Sequence, residues 1–304
     1  MSSEGPNLGS RLVKLFPDQN KLGKGQIAYA ALALYIFRKR ALFDDFARAM
    51  ANGSVSIQLH ELLWVAVSQD LFAQGYVIPS RYSLSPPHRN APATSADRNP
   101  VTDWRTLPAF CLSSRSHVVL KIASIDESSK SEEIEVYRLL TRAPYVNDTR
   151  NPIVKETRIV TLRDDEDEAL VTLLVMPLLT PVCSTRFHTH ASRFEFARQI
   201  IHGLAYLHDV GICHGDIHLS NLLMSNSGPP FKIYFIDFDL ARREDDRTRM
   251  VAWQGGKIRL PELGEDLSHP NLYNPFTADI YSLSVTWFHF ESVRFLLRSV
   301  HFGA

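Results

Sequence analysis

Apolar positions recur every three or four residues along the first part of the chain. Ala, Leu, Phe and Arg dominate Gly25 to Met50, and Phe37, Ala41, Leu42, Phe46 and Ala49 fall on one face of a single helix. Asn52-Gly53 is a stop signal. A second helix is predicted from Ser56 to Gly75, with Leu59, Leu62, Leu63, Ala66, Val67 and Phe72 on one side, so the two form a helical hairpin. Gln26 to Phe37 is an uncharged run of 12 residues closed by Arg38-Lys39-Arg40. A membrane span needs about 20, so this run is expected to be a buried helix.

The pattern then changes. Pro79, Pro86, Pro87, Pro92, Pro100 and Pro108, mixed with Ser, Arg and Asn, cannot sustain a helix or a central strand and predict a linker over 79–108. Val118 to Ala123 reads as a strand containing Lys121, and Ser131 to Leu140 as a helix rich in carboxylates. Arg158–Leu162 and Leu170–Val175 are β-rich runs around an acidic tip, Arg163 to Glu168, expected to be an exposed hairpin turn. Met176-Pro177 breaks the second run. Phe194, Ile200, Gly203, Leu204, Leu207, His208 and Gly211 mark a helix, and Phe231 to Ile236 a strand.

Lys plus Arg and Asp plus Glu are 33 each, so no charge excess recruits nucleic acid or an anionic membrane. Cys111, Cys183 and Cys213 are too few and scattered for a disulfide framework, which points to a reducing, cytoplasmic setting. Cys213 is expected to be a small buried residue.

Candidate chemistry concentrates in His214-Gly215-Asp216-Ile217-His218-Leu219-Ser220-Asn221 and in Ile236-Asp237-Phe238-Asp239. Asp216 suits a carboxylate that orients a hydroxyl and takes its proton. Asn221 and Asp237 offer the oxygen ligands that Mg2+ prefers. Together they suit phosphoryl transfer, which needs an in-line acceptor and neutralised phosphate oxygens. An alternative, a metal hydrolase built on His214, Asp216 and His218, would need further ligands and supporting partners.

In order and context these segments resemble the protein kinase-like superfamily, with its H-R-D-L-x-x-x-N loop and D-F-G turn. The resemblance implies an α+β, bilobal protein kinase-like fold with a β-rich small lobe, 109–177, and a helical lobe, 178–304, preceded by helices over 1–78. It also implies ATP and Mg2+, with Asp216 as base and Asn221 and Asp237 as metal ligands. Val118 to Ala123 resembles the V-A-I-K strand, so Lys121 is expected on the phosphates and Glu135, with Glu132 as alternative, as its acidic partner. Met176 would sit at the hinge whose backbone receives adenine. Leu260-Pro261-Glu262 resembles the A-P-E motif, and Asp279 resembles the residue that tethers the catalytic loop. The loop wording is also similar to aminoglycoside kinases, and Tyr234-Phe235-Ile236-Asp237-Phe238 to a fungal protein kinase-like family.

Three departures bear on activity. No glycine lies between Gly75 and Gly203, so the strands before Lys121 lack a glycine-rich turn, while Leu22-Gly23-Lys24-Gly25-Gln26-Ile27 stands before an Ala-rich helix rather than in a hairpin. Asp239 replaces the glycine of D-F-G, which removes cheap access to positive φ. The family continues beyond the helix begun by Asp279. An incomplete helical lobe would leave Trp287, Phe288, Phe290, Phe295, Leu296 and Leu297 for a partner to cover. The expected function is an ATP-dependent phosphotransferase acting on a protein hydroxyl. The alternatives are a pseudokinase acting as a binding module and a small-molecule kinase, in which His218 stands in place of the family lysine. Thr248 lies where an activation-segment phosphosite would fall.

Overall fold

Five strands make one antiparallel sheet: β1 (Tyr76–Val77), β2 (Thr106–Cys111), β3 (Ser116–Ser124), β4 (Arg158–Arg163) and β5 (Ala169–Pro177), in the order β1-β2-β3-β5-β4. The computed structural model describes residues 16, 23–84 except 54 and 56, 104–125, 131–185, 187, 189–225, 230–261 and 272–301, with side chains to 290 in the last stretch. Most of 79–108, Glu262, and the side chains of Phe295, Leu296 and Leu297 lie outside the described residues. The chain divides into two compact units, Met1–Ser129 with Arg158–Leu178, and Lys130–Thr157 with Leu179–Ala304.

In the first unit the N-terminal helices cover one apolar face of the sheet. These are α1 (Lys24–Lys39), α2 (Phe43–Ala51), α3 (Leu62–Ala66) and α4 (Ser68–Ala73). Ala33, Ile36, Phe37, Phe46, Leu62 and Leu71 share one buried cluster with Leu107, Ala109, Val118, Leu120 and Leu173. The helices expected as a separate region over 1–78 therefore share a core with the strands. At about 25 cal/mol per Å2 of apolar surface removed from water, neither layer would stay covered alone.

Both predicted helices are broken. The first ends where Ala41 takes φ 51°, Leu42 N–H donates to the Phe37 carbonyl at 3.0 Å and Ala41 N–H to that of Arg38 at 3.3 Å. This cap turns the chain so that Phe37 and Phe46 stack at 5.1 Å and Arg40 reaches Asp70 at 2.6 Å. The second is split into a 3-10 turn, α3 and α4. In α1 only Ala30, Ala33, Ile36 and Phe37 are buried, while Tyr35 is 52% exposed, so the apolar run is one-sided. Among the described residues no helix is long and apolar enough to cross a membrane. Gly23 and Gly25 lie at the start of α1, with Gly23 N–H bonded to the Gln26 side chain at 2.9 Å, a helix start rather than a phosphate loop.

One further expectation needs correction. Thr106 to Pro108 are strand, with Pro108 opposite Val119. Proline is tolerated because β1 pairs only with Phe110 and Cys111, so among the described residues that flank of β2 has no ladder at Pro108 to interrupt. The acidic tip is the exposed hairpin turn expected, at Arg163 and over 165–168, with Asp164 the one inward-facing side chain. The Asp164 side chain is 2% exposed, accepts from Lys39 at 2.7 Å and also from the N–H groups of Glu166 and Glu168 at 2.9 Å.

The second unit contains α5 (Glu132–Leu140), α6 (His190–Asp209) and α7 (Pro275–His301). Its strands are short. β6 (Thr180–Pro181), β8 (Leu222–Met224) and β9 (Ile233–Phe235) form one sheet, β7 (Ile212–Cys213) pairs with β10 (Arg242–Arg243), and β11 (Val251–Ala252) with β12 (Leu272–Tyr273). Thr189 caps α6 by accepting from Ser192 N–H at 3.1 Å. Part of the aromatic run expected to need a partner is covered from within. Phe290 is 4% exposed beside Phe187 and Phe196, and Trp287 stacks on Phe196 at 6.0 Å. Phe288 remains 67% exposed.

Gly203 is where α6 meets β9. A Cβ there would stand 2.9 Å from Pro152 Cβ and 3.0 Å from a Phe235 ring carbon. Those neighbours are tied by the Phe235 N–H to Pro152 carbonyl bond of 2.9 Å, so they cannot easily withdraw. Helix propensity alone would favour alanine by about 1 kcal/mol, while overpacking costs about 1–3 kcal/mol. Gly203→Ala is therefore expected to destabilise the protein, by up to about 2 kcal/mol in urea unfolding; a gain would mean that α6 can shift.

Candidate active site

The loop after β7 is positioned by a buried carboxylate. Asp279, on the first turns of α7, is 1% exposed. Its Oδ2 accepts from His214 N–H at 2.7 Å and its Oδ1 from Gly215 N–H at 2.9 Å, while the His208 ring nitrogen lies 3.0 Å from Oδ2. Two turns further along α7 the Thr286 hydroxyl lies 3.1 Å from the Ile217 carbonyl and 2.7 Å from that of Ser282, its one proton shared between them. One face of one helix thus fixes the loop at both ends. Position 215 must be small, since a Cβ would come 2.4 Å from the Leu240 carbonyl, and it adopts φ 81°.

His214 is a structural group. Its Nδ1 accepts from Asp216 N–H at 3.3 Å, its Nε2 bonds the Ile236 carbonyl at 3.1 Å, and the ring packs 4.7 Å from that of Phe238. Full burial holds its pKa below the usual value, against the pull of Asp279 and Asp237, which keeps it neutral. With both nitrogens on the backbone it offers nothing to a metal, and the His214, Asp216, His218 hydrolase geometry does not form.

Asp216 lies half-buried beyond it. Its Oδ1 accepts from Lys257 N–H at 2.7 Å, and its Oδ2 faces Asn221 Nδ2 and His218 Nε2, both at 3.4 Å. Burial pushes its carboxyl pKa up, but the His218 and Lys257 contacts outweigh this and hold it below the ordinary value. Asn221 Nδ2 also bonds the Asp216 carbonyl at 2.9 Å, and the Asn221 carbonyl accepts from Ile236 N–H at 3.1 Å. Asn221 thereby joins the loop to the residue that precedes Asp237.

Asp237 has φ 67°, which a short acidic side chain tolerates better than most. Asp239 is not among the positive-φ residues, so the substitution expected to strain position 239 does not, and the unusual backbone lies two residues earlier. Phe238 is fully buried against Tyr137 and His214, and its N–H donates to Glu133 Oε1 at 3.1 Å. One oxygen from each of Glu133, Asp237 and Asp239 lies within 4.8 Å of the other two. Such an all-oxygen donor set suits a hard divalent cation.

The structure thus brings Asp216, Asn221 and Asp237 together and turns Glu135 away. Glu135 is exposed and pairs with Arg138 at 2.7 Å, and Glu132 is exposed too. Glu133, 1% exposed, is the carboxylate on the inner face of α5, with Val136, Tyr137 and Leu140 at the following helical positions. That spacing was visible in the sequence and identifies Glu133 better than the single residues flanking Glu135. Lys257 was missed because a backbone N–H carries no sequence signal. Lys121 is on β3 of the other unit, 4% exposed. Met176 lies within β5 opposite Val119, and the strand continues through Pro177, so the chain leaves that unit after Leu178 rather than at Met176. Cys213 is buried, which pushes its thiol pKa up. Thr248 is exposed, its hydroxyl donating to Asp246 at 2.6 Å.

Replacing Asp279 by Asn puts an amide NH2 where one carboxylate oxygen accepts a backbone N–H. The loss of one charge-assisted bond and the apposition of two donors are expected to cost about 1–3 kcal/mol. Asp279→Asn should lower the urea midpoint and raise amide exchange at His214 and Gly215; unchanged exchange there would show that the loop holds itself.

The protein kinase domain family model matches residues 110–298. Calcium/calmodulin-dependent protein kinase type 1 of Caenorhabditis elegans is 30% identical over 132 residues, covering 41% of this chain and 34% of that protein. Mitogen-activated protein kinase kinase kinase 1b of Physcomitrium patens is 25% identical over 168 residues, 55% of this chain and 21% of the relative. Serine/threonine-protein kinase PRR2 of Saccharomyces cerevisiae is 23% identical over 168 residues, 55% and 24% respectively. The chain spans about a third or less of the length of these relatives. With its ordered loop, turn and tethering carboxylate inside the matched region, the chain belongs to the protein kinase domain family and has its α+β fold.

Proposed function

We propose that this domain transfers the γ-phosphoryl group of ATP to a hydroxyl group of a protein. The observation that carries the reading is the junction at Asn221, whose side chain bonds Asp216 and whose carbonyl accepts from the residue before Asp237. A proton acceptor and two oxygen ligands are thereby held around one point of the chain. Asp216 orients the acceptor hydroxyl and takes its proton as the oxygen attacks. Asn221 and Asp237 hold Mg2+, with Asp239 and Glu133 adding negative charge beside it. When bound, the ion neutralises charge on the phosphate oxygens. Lys121 is assigned to the α and β phosphates, and the Met176 region to the adenine, from the family pattern alone. Protein acceptors are suggested by the relatives' names. The wording of the His214 to Asn221 loop alone speaks for a small-molecule acceptor, and that of Tyr234 to Phe238 alone for a fungal-type kinase.

A second reading, a nucleotide-binding module without transfer, draws on one feature of the sequence. The segment 78–105 that separates β1 from β2 contains no glycine, the residue that lets backbone amides approach phosphates most closely. The two readings separate in one assay: incorporation from [γ-32P]ATP with Mg2+ into the chain itself and into dephosphorylated casein. Asp216→Asn is expected to lower incorporation on the order of 10²–10⁴-fold while nucleotide binding persists. Nucleotide binding without incorporation in the unaltered protein would favour the binding module.

A further inference from the structure

The four lone pairs of the Asp216 carboxylate are unequally used. Each oxygen can accept two hydrogen bonds. Oδ2 faces two donors, His218 Nε2 and Asn221 Nδ2, each at 3.4 Å, whereas Oδ1 takes one, from Lys257 N–H at 2.7 Å. The tautomer of His218 follows from its other nitrogen. Nδ1 accepts from Ser220 N–H at 3.2 Å, so in the neutral ring the proton sits on Nε2 and is directed at Asp216. Both side chains are mostly buried, 14% exposed for His218 and 19% for Asp216, so water competes little for this contact. The 3.4 Å separations are long, as is usual for catalytic hydrogen bonds before substrate tightens them.

We propose that His218 is a positioning residue that occupies Asp216 Oδ2 and so leaves Oδ1 as the oxygen that receives the substrate proton. The proposal rests on the phosphotransferase reading. In the step it serves, the acceptor oxygen forms a bond to the γ-phosphorus, and the bond from that phosphorus to the β–γ bridging oxygen breaks. The bridging oxygen leaves on ADP with the electron pair, and the hydroxyl proton passes to Oδ1. Without His218 the plane of the carboxylate is held only by Lys257 N–H on Oδ1 and by Asn221 Nδ2 on Oδ2, so it can tilt about its own bond, which loses alignment rather than affinity. Misplacement on that scale costs on the order of 10- to 100-fold in rate.

The two nitrogens of His218 can be replaced one at a time. In His218→Asn the amide oxygen stands near the Nδ1 position and keeps the Ser220 cap but loses the donor to Asp216. In His218→Gln the amide nitrogen stands near Nε2 and keeps the donor but loses the cap. Turnover with [γ-32P]ATP, Mg2+ and casein is expected to fall on the order of 10- to 100-fold in His218→Asn with the KM for ATP unchanged, and to be largely retained in His218→Gln. The reverse ranking, or equal loss in both, overturns the proposal and leaves His218 a cap. A second measurement needs no turnover: the Asp216 carboxyl titration by 13C NMR of aspartate-labelled protein. Loss of the donor should raise its midpoint in His218→Asn but not in His218→Gln, and an unmoved midpoint in His218→Asn also overturns the proposal. If the unaltered protein transfers no phosphate, the phosphotransferase reading fails with the catalytic part of this proposal, while the titration still decides the hydrogen bond.

Discussion

Asp279 is the constraint on which the rest of the site depends. A carboxylate buried this deeply costs several kcal/mol to desolvate, and here it is repaid by two backbone N–H groups and the His208 ring. Charge-assisted bonds of this kind are roughly twice as strong as neutral ones. Their effect is local and specific: His214 and Gly215 are pinned, so Asp216 emerges from a fixed backbone. His208 comes from the end of α6 and Asp279 from the start of α7, so one carboxylate joins the two longest helices to the loop.

A second buried carboxylate does similar work on the other side. Glu133 receives the Phe238 N–H from the turn that carries Asp237. Burial of Phe238 between Tyr137 and His214 sets the depth of that turn, and the left-handed backbone of Asp237 sets its direction. Conformational strain of this kind costs of order 1–3 kcal/mol and persists only where the surroundings hold it. Three carboxylates close together also repel one another, and a divalent cation would relieve that repulsion. Packing and electrostatics thus converge on one demand, positive charge at Asp237.

Much of the site was legible because its chemistry is local in sequence. His214 to Asn221 and Ile236 to Asp239 are short runs whose residue types state their use, and the tethering role of Asp279 came from the family resemblance. Glu135 and its alternative Glu132 prove to be exposed, because the apolar neighbours of one residue do not define a helix face, whereas the full period of α5 places Glu133 inside. The broken helices around Ala41 and Val67 were hidden because their residues are good helix formers, and tertiary packing overrode propensity. Pro108 argued against a strand, yet it lies in β2, opposite Val119 and beyond the short stretch that β1 pairs. The bond from Lys257 N–H to Asp216 had no signal in side-chain identity.

The central claim, that Asp237 and Asn221 hold a divalent cation which in turn holds ATP, is tested most directly by thermal shift. A ligand that binds only the native state stabilises it by mass action, about 2.7 kcal/mol at a hundredfold excess over Kd. ATP is expected to raise Tm only when Mg2+ is present, and Asp237→Ala is expected to abolish that rise without lowering the ligand-free Tm by a comparable amount. A rise that needs no Mg2+, or one that survives Asp237→Ala, would contradict the claim.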